Sequence, residues 1–212
     1  MPQNKKYNSE MQLFDHDGNR LYLTADERKG FLESSKEEPP ENRLFCFLVH
    51  FTGCRPTEAL ELTAERVLIK EKEIVIRTIK KRKLDSHGNL KKPKYRHIPV
   101  PEDLIDHLDF VFRIRQRQKK KTEAVKPLWS MSRATSWRMV KRVMERAGVK
   151  GKQATTKGLR HGFGIAMLAG DKPMPLNILR DLMGHTETKT TEIYLQAVGK
   201  EKRKLVMQAW ES

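Results

Sequence analysis

Apolar positions change their spacing along the first hundred residues, and the changes mark out elements. Residues 1 to 22 are mostly polar, with a turn at Asp17-Gly18-Asn19, and read as a loose N-terminal extension. Thr24, followed three residues later by Glu27, has the spacing of a capping box, so a helix is expected from there to about Ser34. Beyond Pro39-Pro40 a mostly apolar stretch, about Glu41 to Phe51, predicts a second helix that Thr52-Gly53 ends. Helical character resumes from Arg55 to Leu62, with Pro56 tolerable in a first turn. Between 66 and 100 the pattern turns to β-branched runs: Val67-Leu68-Ile69, Ile74 to Ile79, and His97 to Val100. These predict three strands of a small antiparallel sheet. The connection from Lys80 to Tyr95 is long and basic, turning at His87-Gly88-Asn89. Helices return from Glu102, and Trp137 to Ala147 reads as an amphipathic helix stopped by Gly148.

Charge adds a partner to this outline. The chain has 43 Lys and Arg against 27 Asp and Glu, a net +16. Residues 1 to 42 carry 6 against 9, so the remainder carries 37 against 18. An excess of that size attracts polyanions and makes binding salt-dependent. The block Arg113 to Lys121 is its densest part, and Arg115, Arg117, Lys119, Lys120 and Lys121 are candidate DNA contacts. No apolar stretch approaches the ~20 residues of a membrane span, and Met1 to Glu10 lacks a signal-peptide apolar region. A cytoplasmic, DNA-associated location is expected. Cys46 and Cys54 are too few for a disulfide scaffold or a four-ligand zinc site and are expected to be buried and reduced.

Four short pieces contain groups able to handle a phosphodiester: Thr52-Gly53-Cys54-Arg55-Pro56-Thr57-Glu58, Lys157-Gly158-Leu159-Arg160-His161, Leu182-Met183-Gly184-His185, and Tyr194. Attack on a phosphodiester concentrates negative charge on two non-bridging oxygens, which guanidinium forks hold through paired, charge-assisted hydrogen bonds. Arg55 and Arg160 suit that task. Lys157 and Arg160, three residues apart with Thr155 and Thr156 as possible caps, are expected near a helix N-terminus, a favourable place for phosphate. A tyrosine hydroxyl is a competent nucleophile only where positive neighbours stabilise its phenolate or a base takes its proton, because its ordinary pKa is near 10.

Each piece is weak singly. Together, in this order and with nine residues from His185 to Tyr194, they resemble the phage-integrase family of tyrosine recombinases, over residues 21 to about 200. The resemblance implies an α+β, mostly helical catalytic domain with a small three-stranded antiparallel sheet. It makes Tyr194 the nucleophile of a site-specific recombinase, forming a 3′-phosphotyrosyl link, with Arg55 and Arg160 on the phosphate. Lys157 stands where the family has His or Lys and is given proton handling and phosphate contact. His185 is expected to bond the phosphate or hold the site together, and Glu58 to orient Arg55. The general acid for the leaving 5′-oxygen falls to Lys80, with Lys81 and Lys83 close by as alternatives or DNA contacts, although the turn here is longer than the family's usual hairpin. Neither metal nor other cofactor is expected.

The implied partners are double-stranded DNA and further copies of the chain, as a tetramer that exchanges C-terminal tails. The tail, about 195 to 212, has Leu205, Val206, Ala209 and Trp210 as an apolar stripe. The catalytic domain is taken as 23 to 212. Only some twenty residues precede it, so no separate N-terminal DNA-binding domain is expected, and DNA binding by this chain alone is expected to be weak. Two other functions fit less well: relaxation of DNA in the manner of a type IB topoisomerase, and a non-catalytic DNA-binding regulator that keeps the fold.

Overall fold

The computed structural model describes residues 12–79, 92–169 and 172–197, with Met207 and Trp210. Lys80, Lys81 and Lys83 lie outside the described residues, as does most of the tail stripe.

Helix α1 (Ala25–Ser35) begins with the capping box: Thr24 accepts from the Glu27 backbone N–H, and the Glu27 carboxylate accepts from that of Thr24. Helix α2 (Pro40–Thr52) starts on a proline, buries Leu44, Phe45, Leu48 and Val49, and closes on Gly53 at φ 57°. A short α3 (Pro56–Leu60) follows at once, because Gly53 turns the chain within three residues. Strands β1 (Val67–Leu68), β2 (Glu73–Thr78) and β3 (Lys94–Pro99) form an antiparallel sheet in that order. Ile74 pairs with Ile98 and Ile76 with Arg96, so all four side chains leave the sheet on its buried face.

The third strand begins at Lys94, earlier than its apolar residues suggest. Exposed Lys94, Tyr95 and His97 alternate with buried Arg96 and Ile98, so the inward set contains an arginine that hydropathy alone assigns to the connection.

Helices α4 (Glu102–Phe112), α5 (Ile114–Gln118) and α6 (Lys121–Ala124) are separated by short breaks, the first at Arg113 with φ 54°. Helix α7 (Arg133–Arg146) starts four residues before Trp137 because Ser132 caps it, accepting from the Thr135 N–H. Helix α8 (Thr156–Leu168) is capped by Thr155, which accepts from Gly158. Helix α9 (Leu176–Met183) ends on Gly184 at φ 64°, and α10 (Lys189–Glu192) runs into the 3-10 turn Ile193–Ala197.

The main core gathers α2, the inward sheet face, α4 and α7, and it includes both cysteines, which are buried and free. Burial pushes the Cys54 thiol up to about 11. Against it, α8 and α9 enclose a second, smaller cluster of Leu13, Phe163, Ile165, Leu168, Leu179, Met183 and Tyr194. Residues 12–22 are therefore tied down at Leu13, while an isolated bridge pairs Phe14 with Arg20. Among the described residues, no helix is long and apolar enough to cross a membrane.

Candidate active site

Two left-handed glycines position the centre of the molecule. Gly53 packs against the Phe163 ring so closely that an added Cβ would lie 2.5 Å from it, which sets the end of α2 against α8. The Gly53 carbonyl then accepts from Arg160 Nη1 at 2.5 Å. Gly184 leaves room for the Arg96 guanidinium, 3.2 Å from where a Cβ would stand, and turns the chain so that His185 follows immediately. Residues separated by more than a hundred positions thus meet at one place.

Arg160 is buried and bound on several sides. Besides Gly53 it donates through Nη2 to the Met183 carbonyl at 2.5 Å and to His185 Nε2 at 3.1 Å. Burial, then the Arg55 charge, lowers its pKa to about 10, so it stays cationic at neutral pH. Because arginine can only donate, His185 Nε2 must accept, and its proton sits on Nδ1, 2.9 Å from the Thr191 hydroxyl. His185 is accordingly neutral, with burial and the Arg160 charge holding its pKa at about 3. In this state it joins Arg160 to α10 through Thr191.

Arg55 is the more open of the two. Its side chain is 39% exposed against 8% for the Arg160 residue, so Arg55 is the cation more accessible from solvent. Fully buried Glu58 orients it: one carboxylate oxygen accepts from Arg55 Nη1 at 3.1 Å, the other from the Arg55 backbone N–H at 3.0 Å. Glu58 also accepts from Arg96 Nη2 at 2.5 Å and from the Ile79 N–H at 3.4 Å, directly before Lys80. Burial raises its pKa, but the Arg96 charge and hydrogen bonds outweigh this and hold it below the ordinary carboxylate value.

Arg96 was not among the residues picked out by the sequence. Its Nε donates to the Leu182 carbonyl and its Nη1 to the Thr78 hydroxyl, both at 2.8 Å. With Glu58 included, one guanidinium joins the first arginine's helix, the end of β2 and the turn before His185. Only the inward phase of β3 could have signalled it.

Tyr194 is fully buried, its ring against Gly164, where a Cβ would come within 2.8 Å. It lies between two histidines: stacked near His185, with ring centres 6.3 Å apart, and bonded through its hydroxyl to His161 Nδ1 at 3.2 Å. Burial pushes its pKa up to about 12, and the Arg160 and Arg55 charges oppose this only in part. In this state the hydroxyl is protonated and shielded from solvent. His161 is a second residue the sequence did not single out for a role, although it sits inside the Lys157 to His161 piece.

Lys157 is half-buried on the first turn of α8. The basic block is placed apart from this cluster. Lys119, Lys120 and Lys121 are exposed, whereas Arg115 is held by Asp109 at 2.8 Å. Arg117 is tied to the carbonyls of Glu123, Lys126 and Pro127 and so anchors the α5–α6 turn. Asp15, His16 and Asp17 come close enough together to hold a cation, but Asp15 is already occupied by Asn19, the Asp17 N–H and Lys152.

The buried histidines predict an acid-sensitive fold. His50, His161 and His185 are held at about 4, about 3 and about 3, below the ordinary 6.5, so below pH 6.5 the unfolded chain binds more protons. Their contribution is therefore complete above pH 6.5 and is lost progressively as the pH falls toward 4 for His50 and toward 3 for His161 and His185. Denaturant unfolding at pH 5.5 should show roughly 3–4 kcal/mol less stability than at pH 7, a little over ~1 kcal/mol for each histidine. Equal stability at the two pH values would contradict this burial.

A family model described as "Phage integrase family" matches residues 21–201. Tyrosine recombinase XerA of Pyrococcus furiosus is 27% identical over 196 residues, covering 88% of this chain and 61% of the relative. The chain thus spans about three fifths of that relative's length. Among solved structures, XerA recombinase superposes with TM-score 0.67 at 22% identity, covering 89% of this chain and 64% of that one. XerH site-specific recombinase bound to palindromic difH substrate gives 0.69 at 24%, covering 93% and 56%. The fold is that of tyrosine recombinase catalytic domains.

Proposed function

Because this chain belongs to the phage integrase family, we propose that it is the catalytic part of a site-specific DNA recombinase or integrase that cuts and rejoins strands through Tyr194. The observation that carries the reading is the convergence of Arg55, Arg160, His185 and Tyr194 on one place, with Arg160 bonded to His185 and His185 stacked near Tyr194. Arg55 and Arg160 take the two non-bridging oxygens of the scissile phosphate. The Tyr194 oxygen attacks phosphorus, a P–O bond to tyrosine forms, and the bond to the 5′-oxygen breaks. Lys157 takes the phenol proton and Lys80 protonates the leaving 5′-oxygen, so charge stays balanced without metal or ATP. Attack of a partner's 5′-hydroxyl on the phosphotyrosine reverses the step and completes strand exchange.

DNA is the substrate that the net charge and this chemistry fit. Helix α7 packs against α3, beside Arg55, and exposes Arg133, Trp137 and Arg138, a basic and aromatic face suited to a nucleic acid. Exposed Lys119, Lys120 and Lys121 are further DNA contacts in this reading, together with Lys81 and Lys83, which lie outside the described residues; Arg115 and Arg117 join them while held by Asp109 and by the loop carbonyls. Copies of the chain assemble on DNA as a tetramer through exchanged tails.

The test is a nicked suicide substrate incubated with the protein in a metal chelator. A covalent protein–DNA adduct is expected. Its absence on every cognate site would remove the enzymatic reading in favour of a DNA-binding regulator. Relaxation of supercoiled plasmid without a specific site would favour a topoisomerase.

A further inference from the structure

Each nitrogen of a buried histidine needs a hydrogen-bond partner, and His161 has one for only half of its ring. It is 2% exposed on α8, its Nδ1 meets the Tyr194 hydroxyl at 3.2 Å, and its Nε2 is buried with no partner among the described residues. Two neutral tautomers are available. With the proton on Nδ1, both the Tyr194 hydrogen and the Nε2 lone pair stay unpaired. With the proton on Nε2, Tyr194 donates to Nδ1 and a single N–H is left over. The second arrangement wastes less and is favoured.

The consequence is that the hydroxyl's proton is engaged by α8 and turned from solvent. The ring lies in the cradle that Gly164 opens, and the hydroxyl is the one polar atom of the tyrosine side chain. The carrier of Tyr194 is slight: the turn Ile193–Ala197 and the four residues of α10. Such short elements have little internal hydrogen bonding of their own, so side-chain contacts set their position.

We propose that His161 is a positioning residue that latches Tyr194 in a withdrawn state, accepting its hydroxyl hydrogen bond until the tyrosine swings toward a phosphate held by Arg55 and Arg160. The latch rests on the reading of Tyr194 as nucleophile for its purpose, but its geometry stands without DNA. Burial, with the Lys157 and Arg160 charges behind it, holds the His161 pKa at about 3, so the ring remains a neutral acceptor across the physiological range.

The experiment acetylates tyrosines of the free, full chain with N-acetylimidazole and follows the Tyr194 peptide by mass spectrometry, with Tyr95, which is exposed, as internal control. His161→Phe keeps a ring and removes the acceptor; His161→Asn retains a polar atom near the position of Nδ1. Loss of one neutral hydrogen bond should speed Tyr194 acetylation about threefold to tenfold in His161→Phe, and His161→Asn should return most of the protection. Unchanged acetylation in His161→Phe, or equal acceleration by both variants, would overturn the latch. If His161→Phe does not fold, the imidazole nitrogen resonances decide: Tyr194→Phe should shift His161 Nδ1, and an unmoved resonance overturns the proposal. A second arm times adduct formation on the suicide substrate, where His161→Phe should be faster by a similar factor and a slower rate argues against a latch. Failure of the wild type to form any adduct would sink the recombinase reading while leaving the acetylation result standing.

Discussion

Tyr194→Phe is expected to reduce covalent capture of a nicked suicide DNA to background while leaving DNA binding and the fold in place. Phenylalanine keeps the ring that fills the cradle beside Gly164 and removes only the oxygen that would bond phosphorus. Among the described residues, the rings recorded against the tyrosine are the imidazoles of His161 and His185, and the rest of its cluster is apolar. The stability cost arises from His161, which loses its described partner, and is about 1–2 kcal/mol, or roughly 2–8 °C in Tm for a chain of this size. Denaturation and adduct assays together separate loss of chemistry from loss of fold. Adduct formation that survives in Tyr194→Phe would move the nucleophile elsewhere.

Arg96→Met should have the largest effect on stability. Its guanidinium neutralises Glu58, which is fully buried, and methionine would leave that carboxylate with Arg55 as its remaining cation. Removing one partner of a buried pair costs ~3–5 kcal/mol, and the surviving Arg55 bonds place this case near the lower end, a fall in Tm of roughly 6–12 °C. The deficit should shrink as pH falls, because an unpaired buried glutamate takes up a proton more readily than a paired one. Arg96→Met combined with Glu58→Gln should recover much of the loss, and a double variant as unstable as the single would refute the pairing. Adduct formation should also slow, about 10²-fold, since Leu182 before His185 and Thr78 before Lys80 lose their common tie.

These two expectations draw on information of different kinds. Tyr194, Arg55, Arg160 and His185 were legible as residue types in ordered short motifs, and Glu58 was legible as the partner of Arg55. Arg96 and His161 were not. A buried arginine in a strand looks like part of a basic connection until pairing with β2 fixes its phase, and a histidine next to an arginine has no visible partner until α8 meets the Ile193–Ala197 turn.

What the sequence determined by itself was local: the Thr24–Glu27 box that starts α1, the stop at Gly53, the β-branched runs of the sheet, the Thr155 cap of α8, and which residues are candidates for phosphoryl transfer. Caps, turns and periodicity act over a few residues, so they can be read in one dimension. Only the tertiary structure decided how those residues are used in this state. Arg160 spends its fork on Gly53, Met183 and His185, Arg55 is left open, and Tyr194 faces His161 from inside the core. The reason is that burial and hydrogen-bond partnership depend on which faces of distant elements meet, and that is settled by packing the whole chain at once.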